Sequence, residues 1–175
     1  MTGQHIVIIG FKHVGKSLLG RLLATKLKRV FIDLDRAVQR LHQFETHEDL
    51  NCRAIMQKWG VEYFQNLEHE ALKQMLEVAT PSVISLGGGT PLNPQNPPLL
   101  QSHQVILIKG EPEVVFARIM AKGKPAFFPD DQDPHDFFLA LWAERHKIYE
   151  KLAKITVEND TSVELTLEKI LRSLR

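Results

Sequence analysis

Short apolar runs alternate with longer helical patterns along most of this sequence. The runs cover residues 6–9, 30–32, 83–86, 105–108 and 155–157. Between them, apolar residues recur every three or four positions, as at Leu19, Leu22 and Leu23, which is typical of amphipathic helices. Apolar strands separated by helices are typical of a parallel sheet covered on both faces. The pattern predicts an α/β fold with five parallel strands and right-handed crossovers.

Helical periodicity also predicts where the main helices lie. One helix directly follows the loop after the first strand, and the others cover residues 36–41, 111–120, 136–152 and 163–174. Residues 47–78 carry the pattern in two pieces hinged near Gly60, so a helical insertion follows the second strand. The aromatic residues of this insertion, Trp59, Tyr63 and Phe64, are predicted to be ordinary core residues.

Two proline-rich stretches interrupt the regular pattern. Residues 90–98 contain four prolines and are predicted to form a surface loop. Residues 121–134 combine Gly123 and three prolines with a group of aspartates. A polar loop of this length inside a compact fold is either functional or disordered. We interpret it as a mobile lid.

Residues 10–17 read Gly-Phe-Lys-His-Val-Gly-Lys-Ser and lie between the first strand and its helix. This spacing in this context is the P-loop, in which backbone N–H groups and a helix N-terminus surround phosphate oxygens. The alternative is a chance match in a glycine-containing turn, and the strand and helix on either side argue against it. Lys16 would reach the β- and γ-phosphates of a nucleoside triphosphate, and the Ser17 hydroxyl would bind Mg²⁺. The predicted nucleotide-binding residues of this stretch are Gly10, His13, Val14, Gly15, Lys16, Ser17 and Leu18.

Two other groups of residues directly follow predicted strands. Asp33 and Asp35 close the second strand, and residues 87–89 form a triple glycine after the third. Ligands gather at the carboxyl ends of parallel strands, so one carboxylate could bind Mg²⁺ and the other a substrate hydroxyl. The alternative for Asp35 is a helix cap. The glycines would let the backbone approach a ligand closely, or they form a plain loop.

Length, charge and cysteine content narrow the class of protein. At 175 residues the chain is predicted to be a single domain. Its 22 basic and 21 acidic side chains nearly cancel, which indicates no nucleic-acid partner. Cys52 has no second cysteine with which to form an internal disulfide. No stretch is long and apolar enough to span a membrane, and we expect no signal peptide in the first five residues. We expect a cytoplasmic protein with no membrane partner, and a monomer.

The order of these motifs resembles that of the shikimate kinase family over residues 5–172. Further pieces that match the family pattern are Gly60, Phe64 and Glu68 in the insertion, Lys124 and Pro125 in the lid, and Arg145 with Tyr149. Their joint order and spacing carry the resemblance, since no later motif is specific alone. The resemblance implies a three-layer P-loop kinase fold. Its acceptor-binding helices would lie at about 36–78 and its lid at about 121–134.

The resemblance also implies an acceptor site. Asp35 would accept hydrogen bonds from the acceptor's hydroxyls and assist deprotonation as a general base. Arg145 would form a two-bond fork with the acceptor's carboxylate. Backbone N–H groups of the triple glycine would meet the same molecule. The implied acceptor-binding residues are Asp35, Gln65, Gly87, Gly88, Gly89 and Arg145.

On the nucleotide side, the resemblance implies three more roles. Asp33 would order Mg²⁺ through water, and Arg118 would lie on the adenine ring. Lys124 would act beside Lys16 in catalysis, because a cation there stabilises the phosphoryl group during transfer.

Three positions depart from the family pattern. Gln65 replaces the acceptor-binding arginine, Lys124 replaces the lid arginine, and Val61 replaces a glutamate after the hinge glycine. Gln65 cannot neutralise a carboxylate, whereas Lys124 keeps its charge but loses the planar fork. The resemblance implies phosphorylation of a small carboxylated polyol, with ATP and Mg²⁺ as cofactors and shikimate of aromatic amino acid biosynthesis as the first candidate. The alternatives are a kinase for another hydroxy acid or a nucleoside, and a catalytically weakened nucleotide-binding relative.

Overall fold

A computed structural model describes residues 4–121, 123–125 and 127–175. The predicted lid positions Lys122 and Ala126 lie outside this set. One sheet contains five strands: β1 (Ile6–Ile9), β2 (Val30–Asp33), β3 (Ser82–Ser85), β4 (Gln104–Lys109) and β5 (Ile155–Glu158). All neighbouring pairs are parallel, in the order β2-β3-β1-β4-β5. The predicted five-stranded parallel sheet is confirmed.

The helices follow the predicted alternation with the strands. They are α1 (Lys16–Leu27), α2 (Leu34–Thr46), α3 (Cys52–Trp59), α4 (Val61–Glu77), α5 (Pro97–Leu100), α6 (Pro112–Met120), α7 (Pro134–Leu152) and α8 (Val163–Ser173). α1 packs against α8, and α7 packs against β4 and α6. Helices α2, α3 and α4 pack on one another as the predicted insertion, with Gly60 at positive φ between the last two.

The sheet register brings the predicted motifs together at one edge. β1 lies in the centre, and its four residues are all buried because helices cover both faces. Ile8 pairs with Ser85, and Asp33 pairs with Ser85 on the other side of β3. The loops that leave the carboxyl ends of β1, β2 and β3 are therefore neighbours.

Several element boundaries differ from the sequence prediction. α2 extends over thirteen residues rather than 36–41, and its buried residues Leu34, Val38 and His42 recur every four positions. His42 is polar, so an apolar pattern ends before it. The cap of α2 is Asp33, whose side chain accepts a hydrogen bond from the Asp35 backbone N–H at 3.1 Å. The proposal that Asp35 merely caps this helix is wrong. Residues 47–51, assigned to the helical pattern, are not helical.

The proline-rich stretch 90–98 is more regular than predicted. A 3₁₀ turn spans Thr90–Leu92, and α5 begins at Pro97. Prolines occupy the first turn of both elements. The N–H groups of a first turn have no partner within the helix, so a proline there costs no hydrogen bond. Prolines that indicated a loop therefore start helical turns here.

The aromatic residues of the insertion are less buried than a core would require. Trp59 is 40% exposed and stacks on Tyr63 with ring centroids 4.9 Å apart. The Tyr63 hydroxyl lies 3.0 Å from Nδ1 of the buried His42. The prediction of ordinary core is wrong for Trp59, whose indole N–H instead donates to Glu48 at the surface.

The lid is irregular where the structure describes it. Residues 121, 123–125 and 127–133 contain no helix or strand, and α7 begins at Pro134, the last residue of the predicted lid. Phe128 is buried, and its ring centroid lies 5.0 Å from that of Phe137 on α7. This contact anchors the second half of the lid, and the mobility of the first half stays a prediction. Of the helices in the described residues, none has the length and apolar character needed to cross a membrane.

Candidate active site

The P-loop backbone depends on residues that tolerate unusual conformations. Gly10 has φ of 144°, and a Cβ there would collide with the Ile108 carbonyl oxygen of β4. Gly15 has φ of 96°, and His13 between them has φ of 67°. Only glycine adopts the first of these conformations without strain. The tight turn thus lets the chain leave β1 and enter α1 within six residues.

The start of α1 offers free backbone N–H groups to an anion. Its N-cap is Gly15, which has no side chain with which to bond them. The first N–H groups of a helix have no partner within the helix, and its dipole favours negative charge at that end. A phosphate group therefore fits the loop between β1 and α1.

Lys16 lies folded back on this loop. Its Nζ donates to the carbonyl oxygens of Gly10 at 2.9 Å and Phe11 at 2.7 Å. Burial lowers the pKa of Lys16 to about 8, and the nearby carboxylates of Asp35 and Asp33 oppose this shift. The ammonium therefore lies within the loop, bonded to its carbonyl oxygens.

Ser17 and Asp33 form a pair of oxygen ligands suited to Mg²⁺. The Ser17 hydroxyl donates to Asp33 Oδ2 at 3.2 Å, while Asp33 Oδ1 accepts from the Asp35 backbone. Mg²⁺ takes oxygen ligands and is usually bound by one or two protein groups plus water and phosphate. The residue types and their position beside the P-loop fit that ion.

Asp35 and Glu68 meet at Gly87. The point that a Cβ on Gly87 would occupy lies 3.2 Å from Asp35 Oδ1, 3.3 Å from Glu68 Oε1 and 3.1 Å from Thr90 Oγ1. Any larger residue would push these oxygens apart. Although Asp35 keeps contact with solvent, partial burial raises the pKa of its carboxyl, Asp33 raises it further, and Lys16 opposes both. A carboxylate with a raised pKa is a better proton acceptor.

Glu68 is a buried acid that the sequence motif contained without a role. It is 5% exposed, and Thr90 Oγ1 donates to its Oε1 at 2.6 Å. Burial raises the pKa of Glu68 to about 7, the Thr90 hydrogen bond lowers it, and the charge of Asp35 raises it. Glu68 therefore changes charge near neutral pH, next to Asp35.

The second glycine of the triplet connects the P-loop to α7. The Tyr149 hydroxyl donates to the Gly88 carbonyl oxygen at 2.6 Å, and burial raises the pKa of Tyr149 to about 12. Arg145 Nη1 lies 3.7 Å from the Cβ position of Gly88, and its guanidinium carbon lies 5.1 Å from the centre of the Phe11 ring. Gly89 has open space around its Cβ position.

The guanidinium of Arg145 retains unused hydrogen-bonding capacity. Its Nε is buried and has no hydrogen-bond partner among the residues that the structure describes. A buried donor without a partner is costly, so a ligand carboxylate beside Arg145 would remove that cost. The predicted cluster of Asp35, the triple glycine and Arg145 is present at one place.

A separate cavity of about 220 Å³ lies beside Val14 of the P-loop, next to the segments that follow β4 and β5. It is lined by Val14, Gly110, Glu111, Val114, Val115, Arg118, Asn159, Asp160 and Thr161. Arg118 Nη1 donates to the His13 carbonyl oxygen at 3.0 Å, which places the predicted adenine-binding arginine at the cavity wall. Leu18, by contrast, exposes its side chain on α1 and can contribute only its backbone.

Two predicted site residues lie apart from this cluster. Lys124 Nζ is bonded to Asp130 Oδ1 at 2.7 Å within the lid, rather than to the P-loop. Gln65 is exposed on α4, one turn before Glu68. Lys124 is thus paired within the lid, and the Gln65 side chain is open to solvent.

Sequence reasoning missed Glu68 and Asn159 as site residues. Glu68 carried a signal, since it directly follows Leu67 on the apolar face of α4, before Ala71 and Leu72. An acid on a buried face needs an explanation. Asn159 carried no signal, because a single asparagine after a strand is typical of any turn.

Comparison with known proteins gives a consistent family. The family model described as shikimate kinase matches residues 12–175. A shikimate kinase from Caldanaerobacter subterraneus is 33% identical over 172 residues, covering 97% of this chain and 95% of that protein.

Solved structures also resemble the chain over nearly its full length. The crystal structure of shikimate kinase from Aquifex aeolicus has a TM-score of 0.78 and 32% identity, covering 98% of this chain and 96% of that one. Shikimate kinase from Acinetobacter baumannii, solved in complex with shikimate, has a TM-score of 0.83 and 24% identity, with coverages of 98% and 92%. At 24% identity, the likeness to the Acinetobacter baumannii protein supports the fold alone.

Proposed function

Because this chain belongs to the shikimate kinase family and is an ATP-dependent kinase with an alcohol acceptor, we propose that it phosphorylates shikimate to shikimate 3-phosphate in aromatic amino acid biosynthesis. The observation that carries the proposal is the arrangement of Asp35, Gly87, Gly88 and Arg145 beside the P-loop. It combines a carboxylate for a hydroxyl with an arginine for a carboxylate. Shikimate offers both groups.

On the acceptor side, each residue has a chemical task. Arg145 donates two parallel hydrogen bonds to the acceptor's carboxylate, including one from its unused Nε. Asp35 accepts a hydrogen bond from the attacking hydroxyl and takes its proton, which its raised pKa favours. The triple glycine keeps the floor of the site free of side chains, so the acceptor lies close to the backbone.

On the donor side, the P-loop holds the phosphates in line with the acceptor. The N–H groups at the start of α1 bind the phosphate oxygens, and Lys16 shifts from the Gly10 and Phe11 carbonyl oxygens onto the negative charge. Ser17 and Asp33 would hold Mg²⁺, which when bound neutralises phosphate charge. Lys124 adds positive charge once it leaves Asp130. Positioning and charge neutralisation supply most of the rate in phosphoryl transfer.

Gln65 supports a second candidate function within the same reaction class. An exposed, uncharged side chain stands where the family has an arginine, so the acceptor's carboxylate depends on Arg145 alone. A kinase for another small hydroxy acid or for a nucleoside would need fewer positively charged side chains around its acceptor than a shikimate kinase needs. Such an acceptor would still use Asp35 and the P-loop.

An acceptor panel tests the proposal. ATP, Mg²⁺ and shikimate are mixed with the protein, ADP release is followed, and the product mass is determined; other hydroxy acids, uncharged polyols and nucleosides are compared. We expect Arg145→Ala to raise the KM of shikimate far more than that of ATP, and Lys147→Ala, an exposed basic neighbour on α7, to change neither. Efficient turnover of an uncharged acceptor without turnover of shikimate would refute the assignment.

A further inference from the structure

Asn159 lies outside the P-loop in sequence and forms a hydrogen bond to its backbone. It follows β5 directly, and its Nδ2 donates to the Val14 carbonyl oxygen at 2.9 Å, across 145 positions of sequence. The contact is close, since a Cβ on Gly15 would lie 2.8 Å from the same nitrogen. No residue type larger than glycine fits between this amide and the loop.

Two further hydrogen bonds fix Asn159, one through its side chain and one through its backbone. Its Oδ1 accepts from Thr166 Oγ1 at 3.0 Å, and Thr166 is fully buried on α8. Its backbone N–H donates to the Lys109 carbonyl oxygen at 2.8 Å. The rotamer freedom of this side chain is therefore lost on folding and not on ligand binding, which is how preorganisation improves affinity.

The direction of a held carbonyl determines the direction of the next N–H. In a trans peptide the two point to opposite sides, and the described chain contains no cis peptide. Asn159, by holding the Val14 carbonyl, points the Gly15 N–H away from itself. Arg118, by holding the His13 carbonyl at 3.0 Å, does the same for the Val14 N–H. Successive N–H groups fixed in this way form an anion-binding nest.

We propose that Asn159 is a positioning residue for the donor's phosphates, acting through the Val14–Gly15 peptide. Because Asn159 also lines the cavity beside Arg118, it connects the place for the nucleoside to the place for the phosphates. The inference rests on the proposed use of the P-loop for ATP. It assigns to a residue in the loop after β5 an effect on phosphate binding.

Titration calorimetry with two partial ligands tests this role. Inorganic tripolyphosphate with Mg²⁺ probes the phosphate site, and adenosine probes the cavity. Asn159→Asp keeps the shape and the acceptor for Thr166, but it places an oxygen against the Val14 carbonyl. We expect the affinity for tripolyphosphate to fall by at least about tenfold, the effect of one hydrogen bond, because the added negative charge lowers it further, with adenosine affinity nearly unchanged. In turnover, the KM of ATP rises and that of the acceptor does not.

Two further variants make the result decisive. Asn51→Asp makes the same exchange at the N-cap of α3, where an aspartate accepts equally well from the Ala54 N–H, and should leave tripolyphosphate binding unchanged. Asn159→Ala removes the donor without adding charge, so it tests the role even where Asn159→Asp does not fold. Unchanged tripolyphosphate affinity in a folded Asn159 variant, or a loss confined to adenosine, overturns the proposal. If the wild type binds tripolyphosphate but does not turn over shikimate, the proposed acceptor is wrong and the role of Asn159 is unaffected.

Discussion

The buried acid Glu68 should make the stability of the protein depend on pH. Folding raises its pKa from 4.5 to about 7, and each unit corresponds to about 1.36 kcal/mol. Below pH 4.5 Glu68 is protonated in the folded and the unfolded chain, so it has no effect. As pH rises to 7, the unfolded chain releases the proton first, which favours unfolding. Above pH 7 the full cost, about 3 kcal/mol, is present.

Replacing Glu68 with glutamine removes this cost without changing the shape of the side chain. Glutamine keeps an oxygen that accepts the hydrogen bond from Thr90 Oγ1, and it does not ionise. We expect Glu68→Gln to exceed the wild type in free energy of unfolding by a margin that grows by about 3 kcal/mol between pH 4.5 and pH 8. For a chain of this length that margin corresponds to roughly 6–12 °C in Tm.

Urea unfolding at pH 5, 6, 7 and 8 measures the margin, with extrapolation to water at each pH. Glu70→Gln is the matched control, because Glu70 is exposed on the same helix and its exchange should give a margin near zero throughout. A margin for Glu68→Gln that is the same at all four pH values would refute the reasoning. It would mean that Glu68 is equally ionised in the folded and unfolded chains.

Three other variants test the catalytic assignments. Lys16→Ala should abolish ATP-dependent turnover while urea unfolding stays cooperative, and turnover by a folded variant would contradict the P-loop role. Gln65→Arg should raise kcat/KM for shikimate by about ten- to a hundredfold, since a charge-assisted hydrogen bond contributes about 1.5–3 kcal/mol; an unchanged value would show that position 65 does not face the acceptor. Asp130→Asn should release Lys124 and raise kcat at low salt, and an unchanged kcat there would show that this ion pair does not restrain the lysine.

The sheet and the position of the P-loop within it could be predicted because their signals are local. The P-loop spacing, the apolar run before it and the helical pattern after it lie within thirty residues, and together they support one structural interpretation. The Asp-Leu-Asp and triple-glycine motifs directly follow strands, so a parallel sheet places them together without further information. The contacts of Gly87 and Gly88 follow from that topology.

The rest of the site could not be predicted because it depends on distant contacts. Asn159 and Val14 meet only after β5 and α8 have packed beside the P-loop. The exposure of Trp59 reflects the shape of the insertion, in which a buried histidine takes the place beneath the aromatic rings. The bond between Lys124 and Asp130 depends on the path of an irregular loop, which no periodicity describes.

Glu68, whose pKa is raised, lies one turn from the departure at Gln65 on α4. No basic side chain lowers the pKa of Glu68 in the described structure; its influences are burial, Thr90 and the charge of Asp35. Residues 65 and 68 are one turn apart on α4, where Gln65 is exposed and Glu68 is buried, and side chains at this spacing are neighbours along a helix. An arginine at position 65 would therefore stabilise the ionised form of Glu68 as well as the acceptor's carboxylate.

This coupling gives the two substitutions a joint consequence. In a Gln65→Arg background, the folded-state pKa of Glu68 should fall toward its ordinary value, because a nearby cation favours the charged acid. The extra stability that Glu68→Gln provides at pH 8 should then shrink, and a double-mutant cycle at pH 5 and pH 8 measures the difference. A coupling energy at pH 8 no larger than at pH 5 would show that the side chains do not interact, and the arginine would then act on the acceptor alone.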